Sequence, residues 1–202
     1  LTIAVDDALL APNVSAALKL FALAFPYVQL DLVSLASPDI IHAVADGNVD
    51  IGVMFSEIEV NKQVDFCYVG GVDFIAVCHV DFPLAELRVL SESDLAPFRQ
   101  ISVRGSLKKE PQALISMTPS AWWCSSNYAV LELVKQQIGW AYLPASLVQP
   151  LVEQGDICKI DVAFDHKPWS APVDLVFKKG AKRGPAYQWF FEALKNAFSA
   201  TG

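Results

Sequence analysis

The first 55 residues alternate between short apolar runs and amphipathic segments, and this alternation restricts the possible folds more than any other feature. Three apolar runs predict strands: residues 1–5, 28–35 and 51–55. Apolar side chains at helical spacing predict two helices between them: residues 14–25 and 40–45. A chain that alternates strands and helices in this way is expected to form a parallel sheet with right-handed crossovers.

The rest of the chain continues the mixture of strands and helices, without repeats or a long linker. Strands are predicted at 64–69, 74–78, 101–103, 140–143 and 173–177. Gly70 and Gly71 are interpreted as the break between the first two of these strands. Helices are predicted to begin at Ser125 or Ser126 and at Ser146, and a final helix covers 187–198.

The composition excludes several classes of protein. With 53% hydrophobic and 18% charged residues, the chain is too apolar to be disordered. Its net charge of −7 argues against nucleic-acid binding by these residues, because such binding is expected to need a basic patch. The apolar stretches fall short of the roughly 20 residues that span a bilayer. We find neither a G-x-S-x-G turn nor a phosphate-binding glycine loop, so no enzymatic activity is expected.

The histidines and cysteines lack the spacing of a zinc site, so neither a metal nor another cofactor is expected: His42, His79, His166, Cys67, Cys78, Cys124 and Cys158. The cysteines are interpreted as buried free thiols in a reducing compartment. A redox switch at Cys124 is the alternative, because a position before a helix start lowers the pKa of a thiol. No second cysteine lies near Cys124 in the sequence, which weighs against this alternative.

Six motifs follow one another along the chain: residues 1–4 (LTIA), 21–32 (FALAFPYVQLDL), 47–53 (GNVDIGV), 81–85 (DFPLA), 133–144 (LVKQQIGWAYLP) and 151–157 (LVEQGDI). In this order and spacing they resemble the effector-binding (co-inducer) domain of LysR-type transcriptional regulators, over essentially the whole chain. Phe82 replaces the histidine of the family's H-P-L-A turn. Gln137 stands where the family usually has the first glycine of a G-x-G, which predicts a turn that is tighter or differently built.

The resemblance implies an α/β fold of the two-lobed periplasmic-binding-protein-like type (type 2) with two crossover strands. Lobe I would comprise residues 1–72 and 179–202, and lobe II would comprise residues 73–178. The crossovers would be the strands at 74–78 and 173–177.

The resemblance also implies a function in regulation of transcription. A small effector would bind in the cleft between the lobes, at the carboxyl ends of strands, where open parallel sheets generally hold ligands. Helix N-termini at that place would favour an anionic effector. The effector would act on a homodimer or homotetramer, and DNA would be bound only through an N-terminal helix-turn-helix domain that these residues do not include. We expect a cytoplasmic protein with no membrane partner. The alternatives are an exported solute-binding protein of a transporter and an enzyme on the same fold.

Strand ends in lobe I supply four candidate effector-binding residues: Asp7, Ala8, Ser37 and Phe55. The acids Asp6 and Asp7 could select a cationic or amine group, or could cap the next helix. Ser37 matches the position where the family holds its ligand with Ser or Thr, and it could also be an N-cap with Pro38 as the first helical residue. Phe55 stands where some members that respond to aromatic acids carry a cation, so the effector class of those members does not transfer.

Strand and helix ends in lobe II supply five further candidates: Arg104, Gly105, Ser106, Ser126 and Asn127. An arginine at a strand end, followed by a Gly-Ser with available backbone N–H groups, suits bidentate binding of a carboxylate, and a surface ion pair is the alternative. Trp122 and Trp123, together with Ser125, could form an aromatic pocket wall, or they could pack in a core or an interface.

Overall fold

The computed structural model describes residues 1–58, 61–106, 108–111, 116–165, 167–181 and 183–199. The alternation predicted for the start of the chain is present as five elements: β1 (Thr2–Val5), α1 (Pro12–Ala24), β2 (Asp31–Ser34), α2 (Ser37–Ala45) and β3 (Ile51–Phe55). β1 pairs in parallel with both β2 and β3, as the alternation predicts. Strand β2 is shorter than predicted, and all four of its residues are exposed.

The next element corrects one prediction. A single strand, β4 (Val64–His79), replaces the two strands predicted on either side of Gly70 and Gly71. These glycines do not form a turn. A Cβ atom at Gly70 would lie 3.2 Å from the carbonyl oxygen of Phe198 in the last helix, so close packing explains the small residue.

The remaining helices and strands follow as far as the C-terminal helix: α3 (Glu92–Leu95), β5 (Gln100–Val103), β6 (Ala121–Cys124), α4 (Asn127–Lys135), β7 (Ala141–Pro144), α5 (Ala145–Gln154), β8 (Ile157–Lys159), β9 (Trp169–Lys178) and α6 (Pro185–Ser199). The predicted N-cap of α4 is confirmed at Ser126. Three elements were not predicted: α3, β6 and β8. Among the described residues, no helix combines the length and apolarity that crossing a membrane requires.

The chain divides into two compact units: Leu1–Gly71 with Pro172–Gly202, and Val72–Ala171. It passes from unit 1 to unit 2 within β4 and returns within β9, the strands that contain the two predicted crossover segments. The crossings fall at 71/72 and 171/172, against lobe boundaries predicted at 72/73 and 178/179. The difference at the second crossing arises because residues 173–177 of β9 pair with β3 of unit 1.

The sheet of unit 1 includes β2, β1, β3 and β9 in this order; β1 is parallel to β2 and β3, and β9 is antiparallel to β3. Helix α2 packs its apolar side chains on this sheet, with Ile40 and Val44 against Ala4, Met54 and Val176. Helices α1 and α6 meet through aromatic rings contributed by Phe21, Phe25, Trp189 and Phe190. The parallel order of β2, β1 and β3 brings their carboxyl ends to one edge of the sheet.

Unit 2 contains the last part of β4, which pairs with both β7 and β8 in antiparallel fashion. Strands β5 and β6 form a separate parallel pair, and an isolated bridge joins Gln100 of β5 to Trp140 before β7. Trp140 is fully buried in the core of this unit. The carboxyl ends of β5 and β6 therefore lie side by side, and α4 begins directly after β6.

Candidate functional site

In unit 1 the carboxylate of Asp6 connects the ends of all three parallel strands. Asp6 follows β1, and its Oδ2 atom accepts hydrogen bonds from the backbone N–H (2.9 Å) and the hydroxyl (2.6 Å) of Ser37, which comes after β2. Its Oδ1 atom accepts from the N–H of Ala8 (3.2 Å). The hydroxyl oxygen of Ser37 accepts in turn from the N–H of Phe55 (2.9 Å), the last residue of β3. We call Asp6 and Ser37 with these bonds the Asp6–Ser37 cluster.

The Asp6–Ser37 cluster is closed to solvent. Asp6 is 1% exposed and Ser37 is fully buried. Burial raises the pKa of Asp6 from its ordinary 3.8 to about 6, and the negative charge of Asp7 adds to this rise. The hydrogen bonds from Ser37 and Ala8 act in the opposite direction but do not cancel the effect of burial on the pKa.

The cluster corrects the prediction of a cap at Ser37 and decides which of two acids forms the other cap. Ser37 is the first residue of α2 and not its N-cap, because its hydroxyl donates to Asp6; the N-cap is Ala36, without a side-chain bond. Of the two acids that were predicted to cap the next helix, Asp6 caps the 3-10 turn at Asp7–Leu9. Sequence reasoning treated Asp6 only as a companion of Asp7. Its position directly after a buried strand was the available signal.

The carboxylate of Asp6 thus already lies at the N-terminus of α2. The N–H of Ser37 donates to Asp6, and Pro38 has no N–H. The N–H groups of Asp39 and Ile40 donate to the carbonyl oxygen of Ala36. Of the four residues predicted in this unit, Ala8, Ser37 and Phe55 are buried and Asp7 is partly exposed.

In unit 2 the predicted residues follow two neighbouring parallel strands. Val103 of β5 lies opposite Cys124 of β6, and the N–H of Arg104 donates to the carbonyl oxygen of Cys124 (3.0 Å). Ser126 caps α4 through a hydrogen bond from the N–H of Ala129 to its hydroxyl (3.2 Å). All five predicted residues of this unit therefore come directly after β5 or β6, at the paired carboxyl ends of these two strands. We call this place the β5–β6 edge.

Arg104 is held against an aromatic ring. Its guanidinium carbon lies 4.4 Å from the centroid of the Trp123 ring. The indole N–H of Trp123 donates to Glu110 Oε1 (3.0 Å), and Glu110 Oε2 accepts from the N–H of Ser116 (2.9 Å). These contacts fix the ring that supports Arg104.

The neighbouring tryptophan repeats this arrangement at the other end of β5. The guanidinium of Arg99 lies 4.1 Å from the ring centroid of Trp122. Trp122 and Trp123 are 46% and 39% exposed, so neither packs in the core. Each indole instead provides a partly exposed surface for an arginine.

The loop after β5 corrects a further prediction. The N–H of Gly105 donates to the carbonyl oxygen of Lys109 (2.8 Å), and the N–H of Lys108 donates back to Gly105 (3.0 Å). The Gly105 N–H is therefore engaged within the loop and is not the available donor that the sequence predicts; a contact of Gly105 with the effector stays a prediction. Ser106 is exposed and Asn127 is buried.

The turn after α4 is a regular Schellman motif, although the sequence predicts a different construction. The N–H of Gln137 donates to the carbonyl oxygen of Val134, and the N–H of Ile138 donates to that of Leu133. Gln137 adopts a left-handed backbone with φ of 59°, the conformation that glycine usually supplies. The turn is retained at an energetic cost and is not rebuilt.

The cysteine prediction also changes. All four cysteines are free; Cys78 is buried, and the other three are half-buried. Burial raises the pKa of Cys124, which is opposite to the lowering predicted from its position before α4. Within the described residues no group of three or more His, Cys, Asp or Glu side chains is arranged to hold a metal ion; His166 lies outside those residues.

Two cavities that each lie within one unit are lined by none of the predicted residues. One of about 770 Å³ lies along α1 and α6, and one of about 220 Å³ lies beside β4 and the segment after β8. The predicted residues instead lie at the carboxyl ends of parallel strands, where α/β domains with open sheets bind ligands. The structure thus has the architecture of a ligand-binding α/β domain.

The class can be stated more closely by comparison with known proteins. The LysR substrate binding domain family matches residues 1–199, so the chain belongs to this family. The HTH-type transcriptional regulator AceR of Acinetobacter baumannii (strain ATCC 17978) is 25% identical over 198 residues. That match covers 97% of this chain and 66% of AceR, so the chain spans slightly less than two thirds of the relative's length.

Solved structures confirm the fold. The regulatory domain of CcmR from Synechocystis PCC6803, in complex with 2-PG, has a TM-score of 0.78 at 14% identity, covering 100% of this chain and 98% of that one. The effector binding domain of QuiR in complex with shikimate has a TM-score of 0.76 at 13% identity, covering 99% and 97%. The resemblance to LysR-type effector-binding domains and the two-lobed type 2 fold are both confirmed.

Proposed function

We propose that this domain binds a small anionic effector and that the β5–β6 edge of unit 2 receives the anionic group. The observation that carries the proposal is the placement of Arg104 at the end of β5, stacked on Trp123 and next to the start of α4. 2-PG and shikimate, which two solved relatives bind, support a small organic molecule as the effector.

The stacking leaves the chemistry of Arg104 available. A guanidinium presents its N–H donors in the plane of the group, so an aromatic ring against its face does not compete with a carboxylate at its edge. The ring also reduces the rotamer freedom that Arg104 would lose on binding. Because Arg104 is half-buried, its attraction for an anion is less weakened by water than that of a fully exposed arginine.

The remaining contacts of the effector are proposed from the predicted residues. Ser106 and the α4 N-terminus at Ser126 would contribute polar groups beside Arg104, and Asn127 would position that helix start. In unit 1, Asp7, Ala8, Ser37 and Phe55 stay predictions. The Asp6–Ser37 cluster supports a positioning role for Ser37, since its hydroxyl is already bonded to Asp6 and to Phe55. That the effector lies between the lobes also stays a prediction of the resemblance.

The effector would act by shifting the balance between two arrangements of a homodimer or homotetramer. It can do so only as far as it binds one arrangement more tightly than the other. DNA binding would belong to an N-terminal domain outside these residues, as the helix-turn-helix name of AceR suggests. A cytoplasmic location, where the DNA is, follows from this proposal, and no catalytic step is part of it.

The two arginine–tryptophan pairs provide a matched test. Small carboxylic acids, including shikimate, would be screened by thermal melting, each with its neutral amide or ester, and 2-PG would be screened beside them. A ligand at a hundredfold excess over its Kd should add about 2.7 kcal/mol to the stability of the native protein. We expect Arg104→Met to abolish the shift caused by the best acid and Arg99→Met to preserve it. Equal effects of the two variants, or an equal shift with the neutral analogue, would exclude Arg104 as the anion-binding residue.

A further inference from the structure

Two cysteines that are far apart in sequence lie directly opposite each other in unit 2. Cys78 of β4 pairs in register with Cys158 of β8, and their Sγ atoms are 3.6 Å apart. The sequence gives no indication of this pair, because 79 residues separate the two positions and β8 was not predicted. The pair lies away from the β5–β6 edge in sequence and does not depend on the function proposed above.

The backbone register favours a bond between these sulfurs. The N–H of Ile160 donates to the carbonyl oxygen of Ala76 (3.0 Å), and the N–H of Val80 donates to that of Asp156 (3.4 Å). Both bonds join residues that lie directly opposite each other, two positions before and two positions after Cys78. Because hydrogen-bonded and non-hydrogen-bonded pairs alternate along an antiparallel ladder, Cys78 and Cys158 form a hydrogen-bonded pair. Such a pair has Cα atoms about 5.5 Å apart, inside the range of about 4.4–6.8 Å found for disulfides. Side-chain rotation alone can bring the sulfurs together.

The two thiols differ in access. Cys78 is fully buried in the core of unit 2, beside Leu84 and Trp140. Cys158 is half-buried, and its Sγ lies 3.9 Å from the carbonyl oxygen of His79. Burial and the nearby Cys158 both raise the pKa of Cys78, so the thiolate forms less readily there. A reagent from solution therefore reaches Cys158 first, with Cys78 directly behind it.

We propose that Cys78 and Cys158 form an oxidative modification site that a hydroperoxide converts into an intramolecular disulfide. The Cys158 thiolate attacks one peroxide oxygen, the O–O bond breaks, and the second oxygen leaves as water or an alcohol after taking up a proton. Cys158 is then a sulfenic acid. The Cys78 sulfur attacks it, the S–S bond forms, and the S–O bond breaks. The released hydroxide takes the Cys78 proton and leaves as water.

The site would connect β8 covalently to β4. Since β8 is joined to the helix α5 and pairs with β4, the bond would restrict opening of this edge of unit 2. Oxidation would leave the other two thiols reduced. Cys67 and Cys124 are also half-buried, and neither is placed opposite a cysteine in the ladders of the described residues.

The test is a mass measurement on the oxidised protein. Trypsin leaves Cys67 and Cys78 in one peptide, residues 63–88, so the digest would use the double variant Cys67→Ser, Cys124→Ser. After treatment with hydrogen peroxide and alkylation under denaturing conditions, we expect a mass loss of about 2 Da and no alkylated thiol. The digest should contain residues 63–88 linked to residues 136–159.

Cys158→Ser in the same background is the matched control, and the substitution falls at the half-buried position, which is the safer one for folding. It should show neither the linkage nor the loss of mass. Wild-type protein analysed by fragmentation of the linked peptides gives the same information without any variant. Three results would overturn the proposal. These are a stable sulfinic acid on Cys158, a disulfide between two chains, and alkylation of both thiols after the peroxide treatment.

Discussion

Replacement of Asp6 by Asn gives a sensitive test of the Asp6–Ser37 cluster, because the effect should change with pH. At low pH wild-type Asp6 is protonated in both states of the protein. Asn has nearly the same shape, but one of its N–H groups must face a donor, either the N–H of Ala8 or the groups of Ser37. A buried donor without an acceptor costs roughly 1–3 kcal/mol. Asp6→Asn should therefore destabilise the protein by this amount at acidic pH.

The expected pH dependence follows from the raised pKa. In the unfolded chain Asp6 titrates near its ordinary 3.8, and in the folded chain near 6. Between these values the folded state binds the proton more tightly, so this group contributes stability at low pH that is lost as the pH rises through about 6. Each pKa unit corresponds to about 1.36 kcal/mol, which makes the whole difference roughly 3 kcal/mol. About 2 kcal/mol of it should fall between pH 4.5 and pH 7.

Asn does not titrate, so the cost of Asp6→Asn should fall by about 2 kcal/mol over this interval. At pH 7 the cost should therefore have vanished or changed sign, because the whole difference of roughly 3 kcal/mol equals or exceeds the cost expected at acidic pH. Urea denaturation of both proteins at several pH values measures the cost directly. Asp94→Asn is the control: the capping bonds with Ser91 lower the pKa of the Asp94 carboxyl, so its titration occurs below the interval and its cost should stay constant. If the hydrogen bonds from Ser37 outweighed burial, the cost of Asp6→Asn would grow with pH, and our account of the cluster would be wrong.

Two further predictions concern the connection between α4 and β7. Gln137→Gly should raise the free energy of unfolding by about 0.5–1 kcal/mol, because a left-handed backbone strains any residue with a Cβ, whereas Gln136→Gly at φ of −86° should lower it. Denaturant titration distinguishes these outcomes, and a loss of stability in Gln137→Gly would contradict the argument. Gly139→Ala should lower the free energy of unfolding by about 1–3 kcal/mol, since the added Cβ would lie 2.2 Å from the carbonyl oxygen of Arg99. Gly184→Ala, which has open space, should change the melting temperature little; equal effects would refute the packing argument.

Much of the fold could be predicted because its local signals agree with its tertiary structure. Strand β3 covers the predicted residues 51–55, and helix α5 ends at the predicted Gly155. Ser126 caps α4 as expected. The prediction divided β4 into two strands because a Gly-Gly pair, judged only from its neighbours in sequence, indicates a turn. The carbonyl oxygen of Phe198, which the Gly70 backbone approaches, lies more than a hundred residues away in sequence.

The contact between Asp6 and Ser37 could not be predicted from the sequence for a similar reason. Asp6 and Ser37 meet because β1 and β2 are paired with Val5 opposite Ser34, and this register is not encoded in either strand alone. Sequence patterns indicated that both residues follow strand ends. They gave no indication that the carboxylate would be buried or that it would bond the hydroxyl considered as a ligand contact.

The charge carried by each helix N-terminus suggests where an anion can bind. At α2 the N–H of Ser37 is bonded to Asp6, whose pKa near 6 leaves it mostly ionised at neutral pH. At α4 the N-cap is the uncharged hydroxyl of Ser126, which accepts a hydrogen bond without introducing a negative charge. A negatively charged effector would be repelled by a carboxylate at the first helix. At the second it would meet a helix start whose N-cap adds no negative charge, together with the guanidinium of Arg104. The difference favours the β5–β6 edge as the place where the anionic group of an effector is bound.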